Sequence, residues 1–280
     1  MKKPRLAVIG DPVSHSLSPL FQNAALKKLG LNWEYRALRV RAVELRAFMA
    51  GPAKQLAGFN VTIPHKESIL PMMDRLSFEA QVIGAVNTVV IRNGERIGFN
   101  TDGSGYLLSL QQEKKLNPKS RHVTLLGAGG AARAIASVLC LNRVKSLTLA
   151  NRSIGRGEAL AGQLRGRFPK IEIFSCELWS GEFEAALRRS QLLVNTTSVG
   201  LHGSAFENFP YAKLKKGALV SDIVYNPRLT PFLKAAKKAG HPIHSGEGML
   251  AQQGALSLEL WTGKVPDVKL MMRVLRKELG

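Results

Sequence analysis

Val123-Thr124-Leu125-Leu126-Gly127-Ala128-Gly129-Gly130-Ala131-Ala132 is the stretch that decides the fold. A short apolar run suited to a buried strand passes directly into a glycine-rich turn, and Ala131–Leu141 continues it as a helix. G-x-G-x-x-A between a strand and a helix is the mark of a dinucleotide-binding βαβ unit. Glycines let the backbone turn tightly and approach a pyrophosphate. The helix start offers free N–H groups and the positive end of its dipole to that anion. The same residues would also serve as a plain tight turn packed with small side chains, but the strand–turn–helix setting favours the dinucleotide.

The following strand indicates which dinucleotide. Leu147-Thr148-Leu149-Ala150 runs into Asn151-Arg152-Ser153, with Arg156 one turn later. An NAD site places Asp or Glu about 20 residues after the first glycine, against the ribose 2′-hydroxyl. No carboxylate stands at Asn151 to repel a 2′-phosphate. Arg152 and Arg156 can pair with that phosphate and Ser153 can donate to it. The expected cofactor is NADP.

Outward from this unit, strands and helices alternate. Strands are expected at His122–Leu126, Ser146–Ala150, Ile171–Ser175, Leu192–Thr196, Ala218–Ile223 and near Pro242–His244, with a helix at Gly155–Arg167. Such alternation predicts a doubly wound parallel sheet. Upstream, Leu6–Ile9 reads as a buried strand. A helix capped by Ser18, with Pro19 at its first position, ends at Gly30. Trp33–Val40 and Gly58–Ile63 read as strands, Ala42–Ala50 as a helix, and Ala85–Arg92 with Glu95–Asn100 as a hairpin around Asn93-Gly94. Gly103–Leu116 suits a linking helix, and Met249–Trp261 and Val268–Leu279 suit two terminal ones. The predicted fold is α/β with two domains. Residues 1–103, completed by helices in 248–280, form a substrate-binding domain. Residues 104–247 form a Rossmann-type NADP domain, and a cleft lies between the two.

Composition bounds the function. The 280 residues carry 40 Lys and Arg against 20 Asp and Glu, a net charge of +20, which favours anionic partners. The basic residues are dispersed, and the densest run is only Lys213-Leu214-Lys215-Lys216. The expected anions are therefore small molecules, and no nucleic-acid partner is predicted. No stretch approaches the roughly 20 apolar residues of a membrane span. The basic start Met1-Lys2-Lys3-Pro4-Arg5 precedes only Leu6–Ile9, too short for a leader peptide. Two cysteines, Cys140 and Cys176, form no metal or disulfide pattern. The chain is expected in the cytoplasm, as a monomer or homodimer, with no metal.

Further polar segments share one order. Asp11-Pro12-Val13-Ser14-His15-Ser16-Leu17-Ser18-Pro19, Asn60-Val61-Thr62-Ile63-Pro64-His65-Lys66, Gly84-Ala85-Val86-Asn87-Thr88 and Asn100-Thr101-Asp102-Gly103 precede the glycine turn. Asn195-Thr196-Thr197-Ser198-Val199-Gly200, Asp222-Ile223-Val224-Tyr225-Asn226-Pro227 and Gly248-Met249-Leu250-Ala251-Gln252-Gln253-Gly254-Ala255 follow it. In this order, from Ile9 to Gly263, the chain resembles the shikimate dehydrogenases.

The resemblance implies reversible, NADP-dependent reduction of 3-dehydroshikimate to shikimate, in aromatic amino-acid biosynthesis by way of chorismate. It implies that Ser14 and Ser16 hold the substrate carboxylate. Thr62, Asn87, Asp102 and Gln253 would bind ring hydroxyls, with Asn60 and Tyr225 lining the pocket. Lys66 and Asp102 would be the catalytic pair. Gly127, Ala128, Gly129, Gly130 and Ala131 would cradle the pyrophosphate, and Asn151, Arg152, Ser153 and Arg156 would hold the adenosine end. Thr196, Ile223, Gly246 and Met249 would approach the nicotinamide. Gln22 stands where the family often has His, Ser153 where Thr is common, and Phe78 where some members offer a carboxylate. Two alternatives remain open: a quinate/shikimate dehydrogenase of broader substrate or NAD scope, and a non-catalytic NADP-binding regulator. Retention of Lys66 with Asp102 opposes the second.

Overall fold

The computed structural model describes residues 5–280, so the basic stretch Met1–Pro4 lies outside the described residues. The chain divides into two compact units. One holds the residues up to Gly105 together with Ala251–Glu278, and the other holds Tyr106–Leu250 with Leu279–Gly280. All three divisions fall inside continuous helices, Asp102–Lys114, Glu247–Thr262 and Val268–Leu279.

The first unit contains β1 (Arg5–Gly10), α1 (Ser18–Lys28), β2 (Glu34–Arg39), α2 (Leu45–Ala50), β3 (Gly58–Val61), β4 (Arg75–Leu76), α3 (Phe78–Ile83), β5 (Thr88–Arg92) and β6 (Glu95–Phe99). The sheet order is β2-β1-β3-β5-β6-β4. β1 pairs parallel with β2 and β3, whereas β3–β5 and β5–β6 are antiparallel. Leu6, Ala7, Val8 and Ile9 are all buried, as an apolar run without alternation predicts for a central strand. The hairpin turns at Asn93 and Gly94 with φ of 53° and 82°, the left-handed pair that Asn-Gly supplies at least cost. One capping expectation fails. The N-cap of α1 is Leu17, without a side-chain cap, and the Ser18 backbone N–H donates to Ser16 Oγ at 3.3 Å. Ser18 is already helical, so its hydroxyl lies one residue too late to cap.

The second unit takes in most of α4 (Asp102–Lys114), then β7 (His122–Leu126), α5 (Gly130–Leu141), β8 (Ser146–Asn151), α6 (Ile154–Arg167), β9 (Glu172–Glu177), α7 (Gly181–Arg189), β10 (Leu192–Asn195), β11 (Val199–His202), β12 (Leu219–Asp222), α8 (Pro231–Lys238) and β13 (Ile243–His244). α9 (Glu247–Thr262) begins in this unit, and α10 (Val268–Leu279) follows it in the chain. The six sheet strands are ordered β13-β12-β10-β7-β8-β9, and every pairing is parallel. Connections run outward in both directions from the neighbours β7 and β10. The carboxyl ends of those two strands are thus the topological switch point where such sheets bind ligands. α5 is apolar around most of its surface, and Ile135, Ala136 and Leu139 are fully buried in the same core as Leu125 and Leu147. α7 and α8 have no counterpart in the sequence reading. Both carried a legible start: Ser180 accepts from Phe183 N at 3.2 Å, and Thr230, before Pro231, accepts from Leu233 N at 3.3 Å.

Asp222 closes β12 and ties its neighbours together. Its Oδ1 accepts from Asn195 Nδ2 at 2.9 Å and from Val224 N at 3.0 Å, and its Oδ2 accepts from Thr230 Oγ1 at 2.7 Å. Burial pushes its carboxyl up from 3.8 to about 6, outweighing the three hydrogen bonds that favour the anion.

A Cβ at Gly58 would overlap the Trp261 indole and stand 2.6 Å from Val89 O, the carbonyl to which Trp261 Nε1 donates at 2.9 Å. Gly58→Ala should therefore cost about 1–3 kcal/mol of stability, seen as a lower midpoint in denaturant unfolding. For Asp222, the folded state holds the proton more tightly than the unfolded chain does. Its contribution to stability is present below pH 3.8 and is lost as pH rises through about 6. Asp222→Asn keeps two acceptor contacts and can donate to Thr230. The unfolding free energy of the parent, measured relative to this variant, should fall by about 2 kcal/mol from pH 4 to pH 7.

Candidate active site

In the first unit, Lys66 and Asp102 meet. Lys66 Nζ donates to Asp102 Oδ2 at 2.5 Å, with side-chain exposures of 23% and 9%. Asn87 Nδ2 donates to the other oxygen, Oδ1, at 2.8 Å. Asp102 is the first residue of α4, and its own N–H donates to Asn100 Oδ1 at 3.1 Å. The carboxylate is thus held at both oxygens and at its backbone. The other two N–H bonds of the Lys66 ammonium have no partner among the described residues.

The orientation of Asn87 follows from its neighbours. Its Oδ1 accepts from the Thr101 backbone N–H at 2.8 Å and from Thr88 Oγ1 at 2.9 Å. A backbone N–H can only donate, so the amide nitrogen must face Asp102. The loop before α4 is fixed by Asn100 Nδ2 donating to Ala85 O at 3.0 Å. The loop carrying Lys66 is fixed on two sides. Fully buried His65 contacts Val40 O through Nε2 at 2.6 Å, and Val86 N donates to Lys66 O at 2.8 Å.

Asn60 is committed inside the protein at both ends of its amide. Nδ2 lies 3.0 Å from each of Asn87 O, Thr88 Oγ1 and Ser257 Oγ, and Oδ1 accepts from Tyr35 OH at 2.7 Å. Burial pushes the Tyr35 phenol well up, against a hydrogen bond from Ser18. Tyr35 and Ser257 are site residues that sequence reasoning missed. Ser257 had a signal: it stands one helical turn after Gln253, and its hydroxyl donates to Gln253 O at 2.9 Å. Tyr35 had none, because its contact depends on the β1–β2 and β1–β3 registers.

The remaining residues expected at the substrate lie in the same unit, apart from Tyr225. Ser14 is exposed, and Ser16 and Thr62 are half-buried. Gln253 is half-buried on α9, whose backbone passes so close to Gly105 that a Cβ there would stand 2.6 Å from Gln253 N. Gln22, the departure noted in α1, donates from Nε2 to Gly254 O at 2.9 Å and anchors α9 to α1. Tyr225 is half-buried in the second unit, and burial pushes its phenol up.

In the second unit, Gly127 has φ of +107°, and a Cβ on it would meet Thr197 Cγ2 at 2.9 Å and Thr196 Oγ1 at 3.0 Å. Thr196 Oγ1 donates to Leu126 O at 2.6 Å and fastens this turn to β10. A Cβ at Gly129 or Gly130 meets no protein atom within 4 Å, so bare backbone faces outward at the start of α5. The N-cap of α5, Gly129, provides no side-chain acceptor, which leaves first-turn N–H groups free for an anion. Ala128 and Ala131 are half-buried beside them. Asn151 Nδ2 donates to Ser153 O at 2.8 Å and orders the end of β8. Arg152, Ser153 and Arg156 are exposed, and neither guanidinium has a described partner. Ile223 is half-buried, and Gly246 lies against its carbonyl so closely that no Cβ fits. Met249 belongs to the core around Leu125.

Comparisons with known proteins point to one family. Family models match in three places: the shikimate dehydrogenase substrate binding domain over residues 8–89, shikimate / quinate 5-dehydrogenase over 109–199, and the shikimate 5'-dehydrogenase C-terminal domain over 246–276. A shikimate dehydrogenase (NADP(+)) of Geobacter metallireducens is 42% identical over 269 residues, covering 96% of this chain and 94% of the relative. The shikimate 5-dehydrogenase of Thermus thermophilus, solved with NADP(H) and shikimate, is 37% identical with a TM-score of 0.87, covering 98% of this chain and 99% of its own. The ligand-free 5-ketofructose reductase of a Gluconobacter species is 33% identical with a TM-score of 0.89, covering 99% of both chains.

Proposed function

The chain belongs to the shikimate dehydrogenase family, and from that premise we propose that it catalyses the reversible reduction of 3-dehydroshikimate to shikimate with NADPH. This is a step of aromatic amino-acid biosynthesis, carried out in the cytoplasm. The observation that carries the proposal is the Lys66–Asp102 pair at 2.5 Å, with the carboxylate held on its other oxygen by Asn87.

The residues of the second unit fit NADP. Bare backbone at Gly129 and Gly130 suits a pyrophosphate, the start of α5 supplies N–H donors, and two unpaired guanidiniums suit a 2′-phosphate. When bound, the cofactor supplies or takes the hydride. Thr196, Ile223, Gly246 and Met249 are assigned to its nicotinamide side. Asn151, Arg152, Ser153 and Arg156 are assigned to the adenosine end.

Reduction of the carbonyl requires one proton at its oxygen. The Lys66 ammonium keeps N–H bonds free of Asp102, so it can donate to that oxygen, offset the developing negative charge and release the proton. In the oxidative direction the neutral amine takes the hydroxyl proton back. Asp102 accepts from the ammonium and fixes its direction, while Asn87 fixes Asp102. Ser14 and Ser16 are assigned to the substrate carboxylate. Thr62, Asn87, Asp102 and Gln253 are assigned to its hydroxyls, and Tyr225 to the lining. Asn60 acts by positioning, since both ends of its amide are engaged within the protein.

An absorbance assay crossing shikimate and quinate with NADP⁺ and NAD⁺ should give fast turnover with shikimate and NADP⁺. Turnover confined to quinate and NAD⁺ would sink the proposal. Lys66→Ala should lower kcat by roughly 10²–10⁴-fold while NADP⁺ affinity, read by fluorescence titration, stays within about twofold. Arg152→Ala with Arg156→Ala should raise KM for NADP⁺ by on the order of 10-fold or more and leave KM for NAD⁺ nearly unchanged.

A further inference from the structure

The basic residues are dispersed in sequence, but the parallel sheet of the second unit gathers them. Because all six strands run the same way, the chain enters every one from the same edge. The five residues before each strand hold two Lys or Arg at β7, β8, β9, β10 and β12 and one at β13. That makes eleven, with no Asp or Glu among them. The five residues after each strand hold two Arg, the cofactor candidates Arg152 and Arg156, against Glu182 and Glu247. One edge is strongly cationic and the other is balanced.

Helix dipoles explain part of this. Arg167, Arg188, Arg189 and Lys238 stand in the last turns of helices, where cations are favoured. Arg121, Lys145, Lys170 and Lys215 lie beyond the helix ends, directly before strands, where the dipole has faded. Lys145, Lys170, Arg189 and Lys215 are exposed and have no carboxylate partner among the described residues. Cations from separate connections act on one point: the His122 ring is held below its usual value first by burial, then by Lys145, Arg189 and Lys215, with Glu172 opposing. Between the connections before β7, β8 and β9 opens a cavity of about 800 Å³ with a largely apolar wall, and Arg143, Lys145, Arg167 and Lys170, with Glu172, are among its lining residues.

We propose that this edge binds a linear polymer of phosphates. Strands about 4.8 Å apart spread the cationic loops over roughly 24 Å, a line of charge rather than a pocket for one anion. A phosphate chain offers negative charge at comparable or closer spacing along its whole length. Arg189 lies over Phe174, 5.0 Å from the ring centroid, and the aromatic side chains of the connections are at least half-buried, Phe168 at the cavity being packed against the core. Contacts are therefore to phosphates and indifferent to sequence. Inorganic polyphosphate and a nucleic-acid backbone share this chemistry.

The test uses the full chain with NADP⁺ saturating, so that Arg152 and Arg156 are occupied. Fluorescence anisotropy would follow labelled polyphosphate, duplex DNA and single-stranded RNA, with polyglutamate as competitor. At least one phosphate polymer should bind, with log affinity falling linearly as log salt rises. The triple variant K145E/R189E/K215E should weaken that binding at least ~10-fold, with its thermal midpoint and dehydrogenase turnover near those of the parent. If the triple variant does not fold, K145E/K215E serves instead. Which polymers bind identifies the source. No binding at low salt, binding unchanged by charge reversal, or equal displacement by polyglutamate, the mark of an acidic protein partner, would each overturn the proposal.

Discussion

The chemistry of the first unit rests on one backbone hydrogen bond, the Thr101 N–H to Asn87 Oδ1 at 2.8 Å. It settles which end of the Asn87 amide faces Asp102. With the amide reversed, two oxygens would face each other across the contact that is 2.8 Å, and the carboxylate would lose a donor where burial makes that loss costly. Asp102 is what Lys66 reaches for, so a rotation of one amide would propagate to the ammonium. Thr88 Oγ1 also donates to Asn87 Oδ1 at 2.9 Å, and that hydroxyl is itself held 2.8 Å from Ser257 Oγ, which reinforces the same orientation.

The second unit solves a different problem, the approach of a large anion to backbone. Gly127 is required by the protein itself, since its positive φ and the nearby threonines exclude a side chain. Gly129 and Gly130 are not required on that ground, because nothing in the protein would touch a Cβ there. Their smallness leaves the backbone at the start of α5 uncovered. The three glycines of one motif therefore differ in kind: folding demands the first, and the other two leave backbone open where no protein atom comes near.

Much of this was legible in the sequence because it is local. The glycine turn, the Asn93-Gly94 hairpin and the strand ending in Asn151-Arg152-Ser153 depend on residues close in the chain, and their geometry is set by φ preference and by charge. α7 and α8 were local too, with serine and threonine caps in plain view, and were overlooked because their apolar stripes are short. Other features were out of reach. The Ser18 cap failed by one residue, a margin that sequence rules do not resolve. The commitment of Asn60 to Tyr35 and Ser257 joins positions 25 and 197 residues away and needs the folded sheet. The cationic edge is the plainest case. Eleven charges scattered between Lys119 and Lys238 become neighbours only through parallel pairing.

That edge also bears on how the glycine turn finds its ligand. β8, six residues long, separates Lys145 from Arg152, a span of roughly 20 Å at about 3.3 Å per residue. Screening at physiological ionic strength acts over about 8 Å. The field of the basic loops has therefore decayed by more than two screening lengths at the turn. The eleven charges of that edge are therefore nearly deaf to a dinucleotide arriving there, and within the second unit Arg152, Arg156 and the helix start are the cationic features beside the turn. The edge should then add little to the salt dependence of capture, however large its own charge.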